Sequence, residues 1–493
     1  MNYIINDYLN NSYIIFDNIP ELKSFDNKDD ELTDYNINKS LICNYWKSIP
    51  QFEQKSDEWL NQRKHYIGGS EAGAFLGYNH YEPQYKAIQK KLINIPIINK
   101  IHTYHGNKYE DVAILVYEWL RNIRVDSYGF LPHNILPNNI KVNNRKNINF
   151  IGASPDGITS DYKYDRIHKT KENGIMIEIK CPPNRKINMN LDTTLIQNGK
   201  DNGIIPIYYY YQVQQQMETC ELDETDFFQI KLIEYKDTKK YKARELFNKD
   251  TDPNCYYKSK DGKFKGAVIQ ILPNSFKGKP VNNTIFDTPE LKSLQQQIYD
   301  QAKFIIQPKL DMSPKEIKKW IIDVKNNNIP NNISNFDKEN HYIIKNGYSF
   351  HKVFYWKLDH GRCTRVKRNI NEFNNNLCIY NKMWGYVNFL RNNIKQQNTY
   401  INICNHINQC IEQFNKYNYN FNEQHNYLLT QNNIIMNILK LMMDNDFDSN
   451  IVQNAINEYK KYFDDITIYK PDYILKNNFD NYVDDINCND IVF

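Results

Sequence analysis

Two short apolar segments carry charged side chains where a buried strand would normally have none. The first, NFIGASPDGI, ends in a Ser-Pro-Asp-Gly turn that contains Asp156, and the second, GIMIEIKCP, follows after a polar loop. Because side chains alternate between the two faces of a strand, Glu178 and Lys180 share one face and Ile177 and Ile179 share the other. Burying a carboxylate and an ammonium group is costly unless a site requires them. The pattern therefore predicts a largely buried strand with a functional site on one face.

Helices and strands alternate around these two segments. Ser56 is predicted to cap the helix DEWLNQRK, and Ser70 to cap a short helix in GGSEAGAFLGYN that ends at Gly77. HGNKYEDVAILVYEWLRN has apolar residues at helical spacing, YYYYQVQQQMETC is a second predicted helix, and TDFFQIKLIEY is a further predicted strand. The order helix, helix, strand, turn, strand, helix, strand is typical of an α/β core with a mixed sheet.

The 493 residues divide into five segments by composition and pattern. The predicted segments are an N-terminal extension (1–40), a core (41–235), a Lys- and Asn-rich insertion (236–345), the last strands and helix of the core (346–395), and an Asn-rich helical C-terminal extension (396–493). Within the fourth segment, SFHKVFYWKLDHGRCTRVKRN predicts two strands joined at Asp-His-Gly, followed by a helix. The tail from 396 onward is expected to be separable from the core.

Charge and cysteine content restrict the class of protein. The net charge of +4 is too small for a general coating of nucleic acid, so an acidic partner must meet a local basic patch. The nine cysteines form no C-x-x-C pair, and CNHINQC matches no common zinc module, which favours free thiols in a reducing compartment. No apolar run approaches the roughly 20 residues of a membrane span, and the N-terminus lacks a signal pattern. These features predict a soluble, intracellular protein.

Asp156, Glu178 and Lys180 are the types of residue that a divalent-metal nuclease requires. Such an enzyme needs carboxylates that converge on one side of a phosphate and a cation or base that positions the attacking water. The backbone carbonyl of Ile179 lies between the two charged residues and is a candidate for a further ligand. Hard oxygen ligands favour Mg²⁺ or Mn²⁺ over zinc. Taken alone, the same residues also fit a surface hairpin whose charges pair with each other.

Five motifs in a fixed order resemble a known family. EWLNQRKHYIGGSEAGAFLG, HGNKYEDVAILVYE, GASPDG, IEIKCP and YYYQVQQQM resemble the YqaJ-type viral recombinases, which are related to the lambda-phage exonuclease and belong to the PD-(D/E)xK nucleases. The resemblance covers residues 50–235 and resumes at 351–392. It implies a restriction-endonuclease-like α/β core, with a central mixed sheet flanked by helices. It also implies an Mg²⁺- or Mn²⁺-dependent enzyme that degrades double-stranded DNA from its ends, 5′ to 3′, in viral recombination, repair or genome processing.

The resemblance also implies roles for individual residues. Asp156, Glu178 and the Ile179 carbonyl would hold the metal, Glu110 would reach a second metal or its water, and Lys180 would position or activate the attacking water. The residues expected to hold the 5′-phosphate of a DNA end are Arg63, Ser70, Ser154, Gln212 and Gln214, with one of the two glutamines facing the pocket.

The remaining expectations concern binding partners, location in the cell and alternative functions. The resemblance implies double-stranded DNA ends, a single-strand annealing protein and further copies of the chain as partners, and the host cytoplasm or a viral factory as the location. The loop between Asp156 and Glu178 contains several basic residues, which fits either contact with a DNA backbone or a solvated hairpin. An endonuclease on the same core and a catalytically idle DNA-end-binding protein are alternative functions, and the intact Asp156, Glu178 and Lys180 argue against the idle protein.

Overall fold

A mixed sheet with helices on both faces forms the centre of the molecule. The computed structural model describes residues 13–20, 28–50, 52, 56–93, 100–133, 136–142, 148–190, 204–279, 288–326, 347–416 and 421–464. Over these residues the chain has the mixed α/β architecture that the sequence predicted.

Among the described residues, eight strands form the main sheet. They are β1 (Ile14–Asp17), β3 (Val125–Asp126), β6 (Gly157–Thr159), β7 (Met176–Lys180), β8 (Glu224–Tyr235), β11 (Lys265–Pro273), β12 (Lys303–Ile306) and β13 (Tyr348–Lys367). A second sheet is formed by β2 (Ile67–Gly68), β4 (Leu131–Pro132) and β5 (Ile151–Ala153), and a two-stranded ribbon by β9 (Thr251–Asp252) and β10 (Cys255–Ser259).

Thirteen α-helices are present in the described part of the chain. The first seven are α1 (Asp34–Ser48), α2 (Asp57–Lys64), α3 (Ala72–Phe75), α4 (Gln84–Leu92), α5 (Ile101–Arg121), α6 (Ile207–Cys220) and α7 (Ala243–Lys249). The others are α8 (Pro289–Gln301), α9 (Pro314–Lys325), α10 (Ile370–Asn392), α11 (Ile394–Lys416), α12 (Phe421–Asp444) and α13 (Asn450–Asp464). None of these helices is long and apolar enough to cross a membrane.

Strand β7 lies inside the main sheet, and its two faces contact different hydrophobic clusters. The strands run in the order β12-β11-β13-β8-β7-β6-β3, with β7 parallel to β8 and antiparallel to β6, while β1 pairs with β13. Ile177 and Ile179 pack in the cluster that contains Val112 of α5, whereas Met176 belongs to the cluster on the α6 side. Glu178 lies two residues after Met176 and therefore faces α6, as the alternation in the sequence predicted.

A single strand, β13, replaces the two strands predicted in this region. Asp359 lies at a register shift between Leu358 and His360 rather than in a tight turn. The residues before this point pair with β11 and those after it pair with β8, with a short overlap. Because β11 supplies strand partners before this point and β8 supplies them after it, the Asp-His-Gly turn signal produces an irregularity instead of a reversal.

The N-terminal caps agree with the prediction at one position and differ at another. The Ser56 hydroxyl accepts a hydrogen bond from the backbone N–H of Trp59 and caps α2, as predicted. Ser70 does not cap a helix, because it lies inside the 3₁₀ turn Gly69–Glu71 that precedes α3. Its hydroxyl instead accepts a hydrogen bond from Arg63. Gly77 has the positive φ of 83° expected of a residue that terminates a short helix.

Packing contacts cross the segment boundaries that were predicted from composition. Asp17 of β1 is buried and accepts hydrogen bonds from Arg362 and Thr364 of β13. Tyr400 of α11 is buried and donates a hydrogen bond of 2.7 Å to the carbonyl of Tyr85 in α4. The insertion contributes β11 and β12 to the main sheet. The N-terminal, inserted and C-terminal segments therefore share buried contacts with the predicted core.

Candidate active site

Asp156 lies beside the end of β7 and is held by its backbone. The Asp156 Oδ2 atom accepts a hydrogen bond of 2.7 Å from the N–H of Ile179. Asp156 itself directly precedes β6, which is antiparallel to β7, so the two strands bring its carboxylate next to Glu178 and Lys180. The structure thus brings together the three charged residues that the sequence singled out.

The register of β6 and β7 explains why a proline precedes Asp156. Gly157 pairs with Ile177, and the Thr159 N–H donates to the Ile175 carbonyl at 2.8 Å, so alternate residues of β7 direct their backbone groups toward β6. Continuing this register by two residues places Pro155 opposite Ile179. Proline has no N–H to donate to the Ile179 carbonyl. Since the N–H and C=O of one strand residue point the same way, this carbonyl is directed toward the Asp156 side of the strand.

Glu178 is almost fully buried and is held by side chains from two elements. Its Oε1 accepts a hydrogen bond of 2.7 Å from Gln212 and also contacts the Lys180 ammonium group. Its Oε2 accepts a hydrogen bond of 3.0 Å from Gln216, which lies one helical turn after Gln212 on α6. These three donors fix the orientation of the carboxylate.

Gln216 is a site residue that the sequence prediction missed, and Gln214 is one that the structure places elsewhere. Gln214 Nε2 donates to the carbonyl of Lys367 at 2.9 Å, and its Oε1 accepts from the N–H of Asn369 at 2.7 Å. Gln214 therefore fixes the junction between β13 and α10 rather than the pocket. The spacing of four residues between Gln212 and Gln216, which places two side chains on one helix face, is the sequence signal that could have identified the pair.

Burial and mutual repulsion determine the protonation of the charged residues. Burial raises the pKa of Asp156 well above its usual range, and the negative charges of Glu178 and Glu110 raise it further. Burial alone would lower the pKa of Lys180, but the charges of Glu178 and Asp156 outweigh this effect and raise it. Lys180 is therefore an ammonium group at neutral pH, so it can donate a hydrogen bond and supply positive charge but cannot accept a proton.

The donor set fits a hard divalent cation. Two carboxylates that repel each other in a poorly solvated site, with a backbone carbonyl directed to the same side, are oxygen ligands of the kind that Mg²⁺ or Mn²⁺ prefers. Glu110 on α5 is close enough for its charge to act on Asp156. In the described part of the chain, no three His, Cys, Asp or Glu side chains are clustered closely enough to form a metal site by themselves. Asp156, Glu178 and the Ile179 carbonyl would thus be the primary ligands.

A second polar group lies at the start of the domain, around Arg63. The Arg63 Nη2 atom donates a hydrogen bond of 3.0 Å to the Ser70 hydroxyl, and its guanidinium group lies 4.6 Å from the ring centroid of Trp59. Glu71 supports this loop by accepting hydrogen bonds from the Gly68 N–H at 2.8 Å and from Lys91 at 2.6 Å. The fold therefore places Arg63 and Ser70, two of the residues expected to bind the 5′-phosphate, side by side.

Gln216 connects the Arg63–Ser70 group to the carboxylates. A Cβ atom added to Gly69 would lie 2.8 Å from the Gln216 side chain, so the loop containing Ser70 packs directly on α6 at this residue. Gln216 Nε2 also lies 3.5 Å from the carbonyl of Ser154. The Ser154 hydroxyl oxygen is buried and makes no hydrogen bond to any residue that the structure describes. A buried hydroxyl of this kind is a suitable donor for a ligand.

The basic loop between β6 and β7 contacts its own chain. The buried Lys163 donates a hydrogen bond of 2.7 Å to the carbonyl of Lys28 and pairs with Asp30 at 3.1 Å. The backbone N–H of Lys169 donates to Asp29 at 2.6 Å. These contacts attach the loop to an acidic N-terminal segment. Lys163 is therefore held by contacts within the chain, as expected of a structural residue.

Residues 58–223 match the YqaJ-like viral recombinase domain. This match confirms the family resemblance deduced from the motifs, and its range contains every residue of the predicted site. An uncharacterized protein, R354, of Acanthamoeba polyphaga mimivirus is 31% identical over 357 residues, which represent 72% of this chain and 56% of R354. The chain thus spans little more than half the length of this relative.

Two crystal structures of LHK-Exo, an alkaline exonuclease from Laribacter hongkongensis, also match, and one of them is a complex with dAMP. Each has 22% sequence identity and a TM-score of 0.24, and each alignment covers 36% of this chain and 74% of LHK-Exo.

Proposed function

We propose that the protein is a divalent-metal-dependent deoxyribonuclease that degrades double-stranded DNA from its ends, 5′ to 3′, in viral recombination, repair or genome processing. The observation that carries this proposal is the convergence of Asp156, Glu178 and Lys180 in one half-buried site within a YqaJ-like domain. Double-stranded DNA ends would be the substrate, and a single-strand annealing protein and further copies of the chain would be partners.

Each residue has a distinct part in the proposed reaction. Asp156, Glu178 and the Ile179 carbonyl would hold Mg²⁺ or Mn²⁺, with Glu110 at a second metal or its water. The bound metal would supply Lewis acidity and lower the pKa of a water molecule. Gln212 and Gln216 keep the Glu178 carboxylate in place. The Lys180 ammonium group orients the attacking water and offsets charge that develops on the phosphate.

Arg63, Ser70 and Ser154 would bind the terminal 5′-phosphate. A guanidinium group can form two parallel hydrogen bonds to a phosphate, and the two hydroxyl groups add further donors. Because a terminal phosphate carries more charge than an internal one, we expect 5′-phosphorylated ends to be favoured by about 1–3 kcal/mol. This corresponds to a preference of roughly tenfold or more in initial rate.

The test is the initial rate of degradation of matched linear duplexes with 5′-phosphate or 5′-hydroxyl ends in Mg²⁺, with covalently closed circles as a third substrate. Arg63→Ala should abolish the preference and leave slow cleavage that is indifferent to the end. Arg63→Lys is the matched control, since it keeps the charge but loses the planar fork. Asp156→Ala and Glu178→Ala should abolish cleavage and preserve DNA binding. Rapid nicking of closed circles would instead support the endonuclease, and undiminished cleavage by either carboxylate variant would refute the site.

A further inference from the structure

A row of aromatic side chains leads from the candidate active site to the surface. The Lys180 Nζ atom lies 4.8 Å from the ring centroid of Tyr209, and the ring of Tyr209 lies 4.4 Å from that of Tyr208. Tyr208 meets His80 at 5.7 Å and Tyr81 at 6.0 Å, both edge to face. His80 and Tyr81 are themselves 3.9 Å apart. These four rings are called the aromatic row below, and Tyr209 connects them to Lys180 of the candidate active site.

The outer end of the aromatic row is open to solvent. Tyr81 is 63% exposed, and the neighbouring Tyr78, which stacks on Tyr211 at 4.5 Å, is 42% exposed. Single exposed apolar residues are common on protein surfaces, but two neighbouring exposed rings that adjoin a polar site are a candidate binding surface. The polar rims of tyrosine and histidine rings also suit a surface that is wet before a ligand binds.

The backbone that carries these rings is fixed before any ligand arrives. Gly73 of α3 approaches α6 so closely that an added Cβ atom would lie 2.6 Å from the Cβ atom of Tyr208. The Gly73 carbonyl accepts hydrogen bonds from the N–H groups of Tyr78 at 2.7 Å and Asn79 at 3.0 Å. The Asn79 side chain in turn accepts one from the N–H of Tyr81 at 3.0 Å. A preformed surface loses less conformational entropy on binding than a mobile one.

A cation lies near each of the two rings closest to the candidate active site, Tyr209 and Tyr208. Lys180 lies over Tyr209. Burial raises the pKa of Tyr208 above its usual range, and the nearby positive charge of Arg185 opposes this effect, which places the guanidinium group in the neighbourhood of the ring. Aromatic rings interleaved with cations are the combination that binds single-stranded nucleic acid, because rings stack on bases and cations attract the phosphates.

We propose that the aromatic row stacks on unpaired bases of single-stranded DNA at the end of a duplex, next to the candidate active site. Bases inside a duplex are covered by their neighbours on both faces, and a duplex end exposes only the outer face of its terminal pair. Several rings can therefore stack only on separated nucleotides. This inference rests on the proposed function, since it assigns the substrate near the carboxylates to single-stranded DNA at the end of a duplex. The inference specifies that the aromatic row recognises the faces of the bases, and that binding does not depend on the phosphates alone.

Binding of the full chain to fluorescently labelled single-stranded DNA, measured in a metal chelator, tests the proposal. The two probes are an oligodeoxythymidine and an abasic oligomer of the same length, which has the same phosphates but no bases. Wild type should bind the first more tightly by on the order of tenfold, since stacking on one base contributes about a decade in affinity. Tyr81→Ala should remove most of this difference, and Tyr81→Phe should retain it because the ring remains.

Tyr256 provides the matched control. It is 54% exposed on β10 and lies outside the aromatic row, so Tyr256→Ala should bind both oligomers as wild type does. Equal affinity of the wild type for the two probes would overturn the inference, as would wild-type behaviour of Tyr81→Ala or an equal loss in Tyr81→Phe. The chelator prevents metal-dependent cleavage, so the binding measurement does not depend on nuclease activity. If the wild type bound bases in chelator but did not degrade DNA in Mg²⁺, the proposed nuclease function would be refuted and the proposed role of the aromatic row would not.

Discussion

At the scale of single residues, Gln214 and Gln216 are two buried glutamines of one helix with different tasks. Gln216 donates to Glu178, whereas Gln214 bonds the backbone of Lys367 and Asn369. We expect Gln216→Ala to lower kcat on linear duplex by about tenfold, because Glu178 loses one of the donors that orient it. Gln214→Ala should instead lower the free energy of unfolding by about 1–3 kcal/mol and leave kcat intact. Paired measurements of kcat and urea unfolding distinguish the two, and the reverse assignment would contradict the site.

Lys180 offers a second prediction at this scale. It is held as an ammonium group beside Glu178. In the proposed reaction it would act on the attacking water and the developing charge rather than on ground-state binding. We expect Lys180→Ala to lower kcat on linear duplex by a hundredfold or more, which is about 3 kcal/mol of transition-state stabilisation, with little change in KM. If kcat were maintained and only KM rose, Lys180 would be a substrate-binding residue.

The charged site residues could be predicted from sequence, and the glutamines only in part. Asp156, Glu178 and Lys180 stand out because charge interrupts an apolar strand, and period-two alternation assigns their face directly. QVQQQM contains four glutamines within five positions, and which of them face the sheet depends on how α6 rotates on β7. That rotation follows from packing across the whole cluster, including the contact of Gly69 with Gln216, and no local pattern specifies it.

At the scale of elements, the end of α5 contains a buried carboxyl group that makes stability depend on pH. Glu118 accepts hydrogen bonds from Arg124 at 2.7 Å and from the Val125 N–H at 2.8 Å. Burial, partly opposed by Arg124 and this N–H, raises the pKa of Glu118 to about 7. The folded state then binds more protons than the unfolded state between the unfolded pKa of about 4.3 and this value, so the contribution of Glu118 to stability falls as pH rises through that window.

The substitution Glu118→Gln replaces the titrating carboxyl group with a neutral amide. We expect the free energy of unfolding of the wild type, measured against that of Glu118→Gln, to fall by on the order of 2–3 kcal/mol between pH 4 and pH 8. Urea unfolding of both proteins across this range checks the sign and the size. A difference between the two proteins that does not change with pH would show that Glu118 ionises normally.

Elements with strong local signals match their predictions, and those defined by distant partners do not. The Ser56 hydroxyl caps α2, as the sequence around DEWLNQRK predicted. β13 differs because its continuity depends on β11 and β8, which come from parts of the chain far away in sequence. A turn signal describes only local preference, and strand pairing on both edges overrides it.

At the scale of the whole molecule, the C-terminal helices complete the cluster around α4. Tyr85 and Ile88 are fully buried, and residues from α11 and α12, including Ile403 and Leu439, pack in the same cluster. Exposing a few such side chains costs about 1.5–3 kcal/mol each, which soon exceeds the 5–15 kcal/mol that usually stabilises a fold. The composition of the tail suggested a separable extension, but its packing indicates the opposite.

Truncation decides between these two expectations. We expect a chain ending at residue 395 to be insoluble or partly unfolded, because the buried face of α4 would meet water. A chain ending at residue 464 is the control, since it retains every contact that the structure describes. Circular dichroism melting and gel filtration provide the measurement. A soluble, cooperatively unfolding product from the shorter chain would restore the boundary predicted from composition.

The order of strands in the main sheet places the inserted strands away from the strand that carries Glu178 and Lys180. The strands contributed by the insertion, β11 and β12, lie at the edge of the sheet, and both β13 and β8 stand between them and β7. Substitutions of exposed residues on β12 act on that distant edge. Exposed residues at that edge can therefore change without direct contact with Asp156 or Glu178, although buried residues of the insertion pack in the same cluster as Ile177 and Ile179.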